Sequence, residues 1–147
     1  MDTAAKVDAL RGSSFFRKVP SSDLRAFAES LRVEHFSKGQ LLCEEGEPAD
    51  RIFVVASGLL EVRVKRSDGK YPQIRPGGIV GEYGLFTHFR TATVCCAEDS
   101  VLLSLENERF SEFLDLFPGT TYALLDQTVQ ALILAEQEIA LLRSQQK

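Results

Sequence analysis

Histidine and cysteine are scarce in this chain, with two of the first and three of the second in 147 residues. A metal site of the cupin kind needs two or three histidines close together, one of them shortly after a Pro-x-Gly turn. Here the histidines are His35 and His88, and Pro76-Gly77-Gly78 is followed by Gly81-Glu82 and no histidine. Cys43, Cys95 and Cys96 are an odd set without the CxxC spacing of a zinc or redox site. Neighbours in a strand point to opposite faces, so Cys95 and Cys96 cannot share one metal, and buried, reduced thiols are expected. An excess of basic residues is missing as well: 17 Lys+Arg against 21 Asp+Glu give a formal net charge of −4. Such a chain attracts neither nucleic acid nor an anionic membrane over distance, so no direct nucleic-acid binding is expected. No apolar run approaches the length of a membrane span, and the start MDTAAKVDAL lacks the apolar core of a signal peptide. The expectation is a cytosolic protein without membrane insertion. P-loop, HExxH and Ser–His–Asp patterns are also missing, and no catalytic role is expected.

At 44% hydrophobic and 26% charged residues the composition is that of a globular chain. Its length suits one domain over 1–147. Three segments are expected within it: N-terminal helices over 1–31, strands over 32–106 and C-terminal helices over 107–147. Residues 4–10 form a short amphipathic helix closed by Gly12, and Phe15-Phe16 is an apolar pair in a polar connection. Pro20 with Ser21 or Ser22 opens a second helix carrying Leu24, Phe27, Ala28 and Leu31 at helical spacing. These helices are expected at one end of a sheet domain.

From Arg32 to Glu106 the period changes to short strands punctuated by glycine. Leu60, Val62 and Val64 alternate with Glu61, Arg63 and Lys65, the pattern of a half-buried strand, and Ser67-Asp68-Gly69-Lys70 closes a hairpin. Asp50 to Ala56 is continuously apolar and reads as a strand covered on both faces. Val101, Leu103 and Leu105 give a last strand. About eight short antiparallel strands of this kind close most easily as a jelly-roll, or double-stranded β-helix. The expected fold is therefore α+β, mainly β. Asn107 is placed to cap a helix lined by Phe110, Phe113, Leu114 and Phe117, which Pro118-Gly119 ends. A longer helix follows from about Thr120 to Arg143, with Leu125, Val129, Leu132, Ile139 and Leu142 on one stripe. That stripe exceeds what a roll can cover, so a parallel homodimer seam is expected. The polar end Arg143 to Lys147 has no cap, as in a chain that continues or in an output helix.

The densest chemistry lies at Gly81-Glu82-Tyr83-Gly84-Leu85-Phe86-Thr87-His88-Phe89-Arg90-Thr91-Ala92-Thr93. Arg90 offers a planar fork suited to phosphate oxygens. Glu82, an ionised acceptor, repels phosphate and suits a ribose hydroxyl, so the pair reads two ends of a nucleotide. Gly84 allows close backbone approach, and a helical turn from Tyr83 to Phe86 is expected to aim free N–H groups at the phosphate. Thr91 and Ala92 leave room beside Arg90 and add donors.

GEYGLF, three further residues and then RTAT resemble the phosphate-binding cassette of the cyclic nucleotide-binding domain family, whose pattern is GExxL(L/F), a short loop and R-(S/T/A)-A. Gly39, Gly46 and Gly58 also fall where that family has glycines at strand ends, and the similarity extends over roughly residues 10–145. Phe89 is a departure, standing where many members have proline. The resemblance implies a ligand site made of Gly81, Glu82, Tyr83, Gly84, Leu85, Arg90, Thr91 and Ala92, with no cofactor. It implies that Val62, Ile74 and Val80 touch the base or ribose, although β-roll core explains them equally. Thr91 occupies a position that contacts guanine in some members and occurs in others that prefer adenine. Glu136 falls near where some members contact the exocyclic group of the base, with a solvated helix face as its other reading. The implied function is sensing of cAMP or, less favoured, cGMP, with the C-terminal helices shifting on binding to control an effector outside this chain. A structural dimerisation module with a non-functional pocket is the alternative.

Overall fold

The computed structural model describes residues 1–63 and 71–146. Val64, Lys65 and the Ser67–Lys70 hairpin expected above lie outside them. In chain order the elements are α1 (Thr3–Arg11), α2 (Ser21–Glu29), β1 (Arg32–Phe36), β2 (Leu41–Cys43), β3 (Arg51–Ser57), β4 (Leu60–Arg63), β5 (Gln73–Ile74), β6 (Ile79–Val80), α3 (Gly84–Thr87), β7 (Thr93–Cys96), β8 (Ser100–Glu106), α4 (Asn107–Leu116) and α5 (Pro118–Gln145). The strands make two four-stranded antiparallel sheets, ordered β1-β8-β3-β6 and β2-β7-β4-β5. This is the jelly-roll that the strand pattern predicts.

Two apolar cores follow from the pleat. Between the sheets lie Phe53, Val55, Val80 and Leu102 from the first sheet, against Cys43, Leu60, Val94 and Cys96 from the second. On the other face of the first sheet, Ile52, Val54, Leu103 and Leu105 meet the helices. Successive residues of β3 therefore point into different cores, which is why that strand reads as continuously apolar. β8 does the same. The alternation of Val101, Leu103 and Leu105 marks only its helix-facing side, while Leu102 is fully buried between the sheets and Val101 is half-buried.

The N-terminal helices lie on the face of the first sheet rather than at its end. Phe16 joins α1 and α2, and its ring lies 5.5 Å from Phe27; Phe27 stacks on Phe113 of α4 at 4.1 Å, and Phe113 meets Phe117 at 4.6 Å. The N-terminal helices and α4 are thus held on one sheet by a single aromatic stack.

Two helix boundaries differ from expectation. Asn107 does not cap α4: β8 runs directly into the helix with Glu106 as the flanking residue. The Asn107 side chain is drawn instead to the β2–β3 connection, where its Nδ2 donates to Ala49 O at 3.0 Å. Pro118 does not end α4 but opens α5, where its fixed φ and missing N–H suit a first turn. A single residue, Phe117, separates the two helices.

α5 has 28 residues, roughly 40 Å at about 1.5 Å per residue. Leu124 seats its start in the helix-side core, and the Gln127 side chain donates to Ser14 Oγ. From Leu125 to Gln146 every residue is exposed, the stripe of Leu125, Val129, Leu132, Ile139 and Leu142 included.

Phe113→Ala removes the centre of the aromatic stack and is expected to destabilise the chain by about 3–5 kcal/mol, read from urea unfolding. A loss below about 1 kcal/mol would show that the stack does not hold the N-terminal helices and α4 together.

Candidate functional site

The jelly-roll leaves a cavity of about 140 Å³ beneath the segment that joins β6 to β7. Its polar end is built by Arg90. Residues 46–49 and 88–90 run antiparallel and fix that side chain's backbone: Arg90 N–H donates to Glu47 O, Gly46 N–H to Arg90 O and Ala49 N–H to His88 O, all within 2.8–2.9 Å. The guanidinium turns inward and is 8% exposed. Its Nη1 donates to Arg51 O at 3.0 Å, its Cζ lies 5.7 Å from the Phe53 ring centroid, and Asp50 Oδ1 is 3.7 Å from Nη2. The last distance is an ion pair but not a hydrogen bond, and the Asp50 side chain is largely in solvent. A buried cation is held here mainly by one carbonyl and one ring face, which leaves donor capacity pointing at the cavity.

Gly81 makes that position possible. At φ 93° it adopts a backbone that favours glycine, and a Cβ there would stand 2.5 Å from Arg90 Nη1 and 3.0 Å from Arg51 O. Gly84 has a different reason, close packing: a Cβ would meet the Ala49 methyl at 2.6 Å.

Glu82 lines the same cavity, half-buried. Burial pushes its carboxyl above the usual value of 4.5, and only its own backbone N–H opposes the shift. Among the described residues it makes no ion pair with Arg90. The two opposite charges thus line one cavity without pairing to each other.

Of the residues singled out in the sequence, Val62, Ile74, Val80, Gly81, Glu82, Tyr83, Gly84, Arg90, Thr91 and Ala92 all line this cavity. Val62, Ile74 and Val80 also pack in the core between the sheets, so both readings of them hold at once. Leu85 does not line it, and packs against the helix-side core that contains Phe110 and Phe113. Glu136 stands exposed on α5, away from the cavity lining. Within the helical turn, Gly84 N–H donates to Gly81 O at 3.0 Å, Leu85 N–H to Glu82 O at 3.3 Å and Phe86 N–H to Tyr83 O at 3.0 Å, so these three groups are used by the turn itself. A turn this short closes on itself.

Sequence reasoning missed Cys43, Ile79 and Val94 in the lining, and noted Phe89 only as a departure. Cys43 lies 3.6 Å from Ala92 O, and burial raises its thiol. All three cysteines are buried and free. Cys96 lies between the sheets, whereas Cys95, its neighbour on the opposite face, accepts a hydrogen bond from Arg63 Nε at 3.0 Å.

The profile of the cyclic nucleotide-binding domain family matches residues 33–116. The chain belongs to that family. It is similar to the cGMP-dependent protein kinase egl-4 of Caenorhabditis briggsae, 31% identical over 104 residues that make up 70% of this chain and 14% of the kinase. It therefore spans a small part of the curated kinases it matches. Among solved structures it is similar to a mutant cAMP-binding acyltransferase from Mycobacterium smegmatis, with 30% identity, a TM-score of 0.69 and coverage of 89% of this chain and 42% of that one. The Thermus thermophilus catabolite activator protein shares the fold at 22% identity, with a TM-score of 0.78 over 88% of this chain and 63% of that one. Cyclic nucleotide-binding domains are regulatory modules, and among the described residues no helix is long and apolar enough to cross a membrane.

The raised Glu82 carboxyl sets a pH dependence. The folded chain keeps this proton where the unfolded chain has lost it, so stability falls as pH rises from 4.5 through the higher folded value. Glu82→Gln is expected to be more stable than the parent at about pH 7, with the difference shrinking towards about pH 4, in denaturant titrations across that range.

Proposed function

We propose that this domain is a non-catalytic cyclic nucleotide sensor, with cAMP ahead of cGMP as its ligand. The observation that carries the reading is Arg90: a buried guanidinium that, among the described residues, has no hydrogen-bonded carboxylate and shares a cavity with Glu82 without pairing to it. The cyclic phosphate lies on Arg90 beside Thr91 and Ala92, and the ribose hydroxyl donates to Glu82. Val62, Ile74 and Val80 face the sugar and base. The cGMP-dependent kinase and the cAMP-binding acyltransferase differ in the nucleotide that their names give, so similarity alone does not choose the base.

The output is a population shift. Leu85 links the cassette to the core that contains Phe113 and Phe117, and Phe117 is the lone hinge between α4 and α5. A ligand that tightens the cassette favours one placement of Leu85, and α5 swings about Phe117 to bring Glu136 over the base. Driving such a switch from mostly off to mostly on takes about 5 kcal/mol of differential binding. The effector is an attached or partner protein.

The exposed stripe on α5 supports a homodimer. Leu125, Val129, Leu132 and Ile139 recur at spacings of four, three and seven, the seam of a parallel pair of helices.

Calorimetry with cAMP and cGMP tests the binding. Arg90→Ala is expected to weaken the preferred nucleotide at least about tenfold, the size of a charge-assisted contact. No heat from either nucleotide leaves the dimerisation module with a non-functional pocket as the reading. For the seam, sedimentation is expected to show a dimer at micromolar concentration that Leu132→Asp converts to monomer; a parent chain that is monomeric would remove the dimer.

A further inference from the structure

A cavity of 140 Å³ is smaller than the roughly 300 Å³ at which sites begin to enclose drug-sized ligands. With Arg90 and Glu82 at its polar end, the cavity takes the sugar and phosphate of a nucleotide, and the base extends to the mouth. Two aromatic rings are found there. Phe89 and Tyr83 both line the cavity, yet they are 56% and 44% exposed and belong to neither hydrophobic core.

The Phe89 ring is displayed by a fixed piece of backbone. Thr87 Oγ1 donates to Phe89 O at 2.7 Å and accepts from Phe89 N–H at 3.3 Å, and Phe89 bridges to Pro48. His88, just before it, has a left-handed backbone with φ 63°, the sole described non-glycine residue with positive φ. Such a conformation is strained for a residue with a side chain, and it is the turn that carries the chain from α3 to Phe89. An apolar ring held out to solvent on a pinned and strained loop loses little freedom when a flat partner covers it. The flat, π-faced part of the ligand is its base.

We propose that Phe89, with Tyr83 beside the same mouth, is the platform on which the base of the bound cyclic nucleotide lies, so that the cassette loop itself takes part in base recognition. The inference rests on the cyclic nucleotide reading of this cavity. It gives the Phe89 departure a role: proline at that position has no aromatic face to offer.

The test compares cAMP with ribose 3′,5′-cyclic phosphate, which keeps the ring phosphate and lacks the base. Affinities for the 147-residue chain are read by calorimetry for cAMP and by competition against a fluorescent cAMP analogue for the base-free ligand. For Phe89→Ala the loss of affinity for cAMP is expected to exceed the loss for the base-free ligand by at least about fivefold, and Phe89→Trp is expected to recover it. Equal losses for both ligands, or no loss for cAMP, overturn the platform and leave the nucleotide reading standing. A parent chain that binds neither ligand overturns both.

Discussion

The constraint on which this site depends is the burial of the Arg90 guanidinium. A cation with little access to water is costly unless protein groups replace its hydration. The replacement comes from three directions: the Arg51 carbonyl, the Phe53 ring and a distant Asp50. Arg51 and Phe53 are consecutive-but-one on β3, so one strand supplies a carbonyl edge and a side chain to the same guanidinium. Gly81 supplies the space, and the pairing of residues 46–49 with 88–90 sets the direction from which the side chain enters. These groups hold the cation without exhausting its donors, which distinguishes a binding group from a structural ion pair.

The same backbone that fixes Arg90 also touches the helices. Ala49 receives the Cα of Gly84 in close packing, donates to His88 O and accepts from Asn107 Nδ2, while Asn107 N–H donates to Asp50 O at 2.9 Å. The first turn of α4 is therefore tied by two hydrogen bonds to the connection that pairs with the cassette. Leu85 gives a second, apolar link to the same helix-side core. Any displacement of the cassette acts on α4 through both, and α4 passes it to α5 through Phe117 and through the Thr121 hydroxyl, which donates to Leu114 O at 2.9 Å.

Much of this was legible in the sequence because local pattern and tertiary role agree. β3 was readable as a two-sided strand, since Ile52 to Val55 fill two cores in alternation, and it was the resemblance of GEYGLF and RTAT to the family's cassette that singled out Glu82 and Arg90, which line one cavity. What escaped depended on contacts distant in the chain. Asn107 has the chemistry of a cap, and nothing local reveals that the Ala49 carbonyl, 58 positions away, will claim its side chain. Pro118-Gly119 looks like a stop signal, yet with Phe117 already out of helical geometry the proline serves better as a start. Cys43 gives no sign of facing a ligand cavity, because an inward thiol in a short strand is ordinary core in any β protein.

The charge arithmetic of the cavity also bears on which nucleotides suit it. One cation, already partly engaged, faces one carboxylate that is half-buried and only weakly compensated. A ligand with a single diffuse negative charge and a nearby hydroxyl satisfies both groups. Each additional phosphate would bring charge towards Glu82 without a second cation in the lining, since Arg90 is the sole basic residue among the described residues that form it. At the low effective dielectric of a partly enclosed site such repulsion is not readily screened. On the proposed reading, a carboxylate placed to accept from a ribose hydroxyl also repels any further phosphate charge brought towards it, so Glu82 acts on net charge as well as on the sugar.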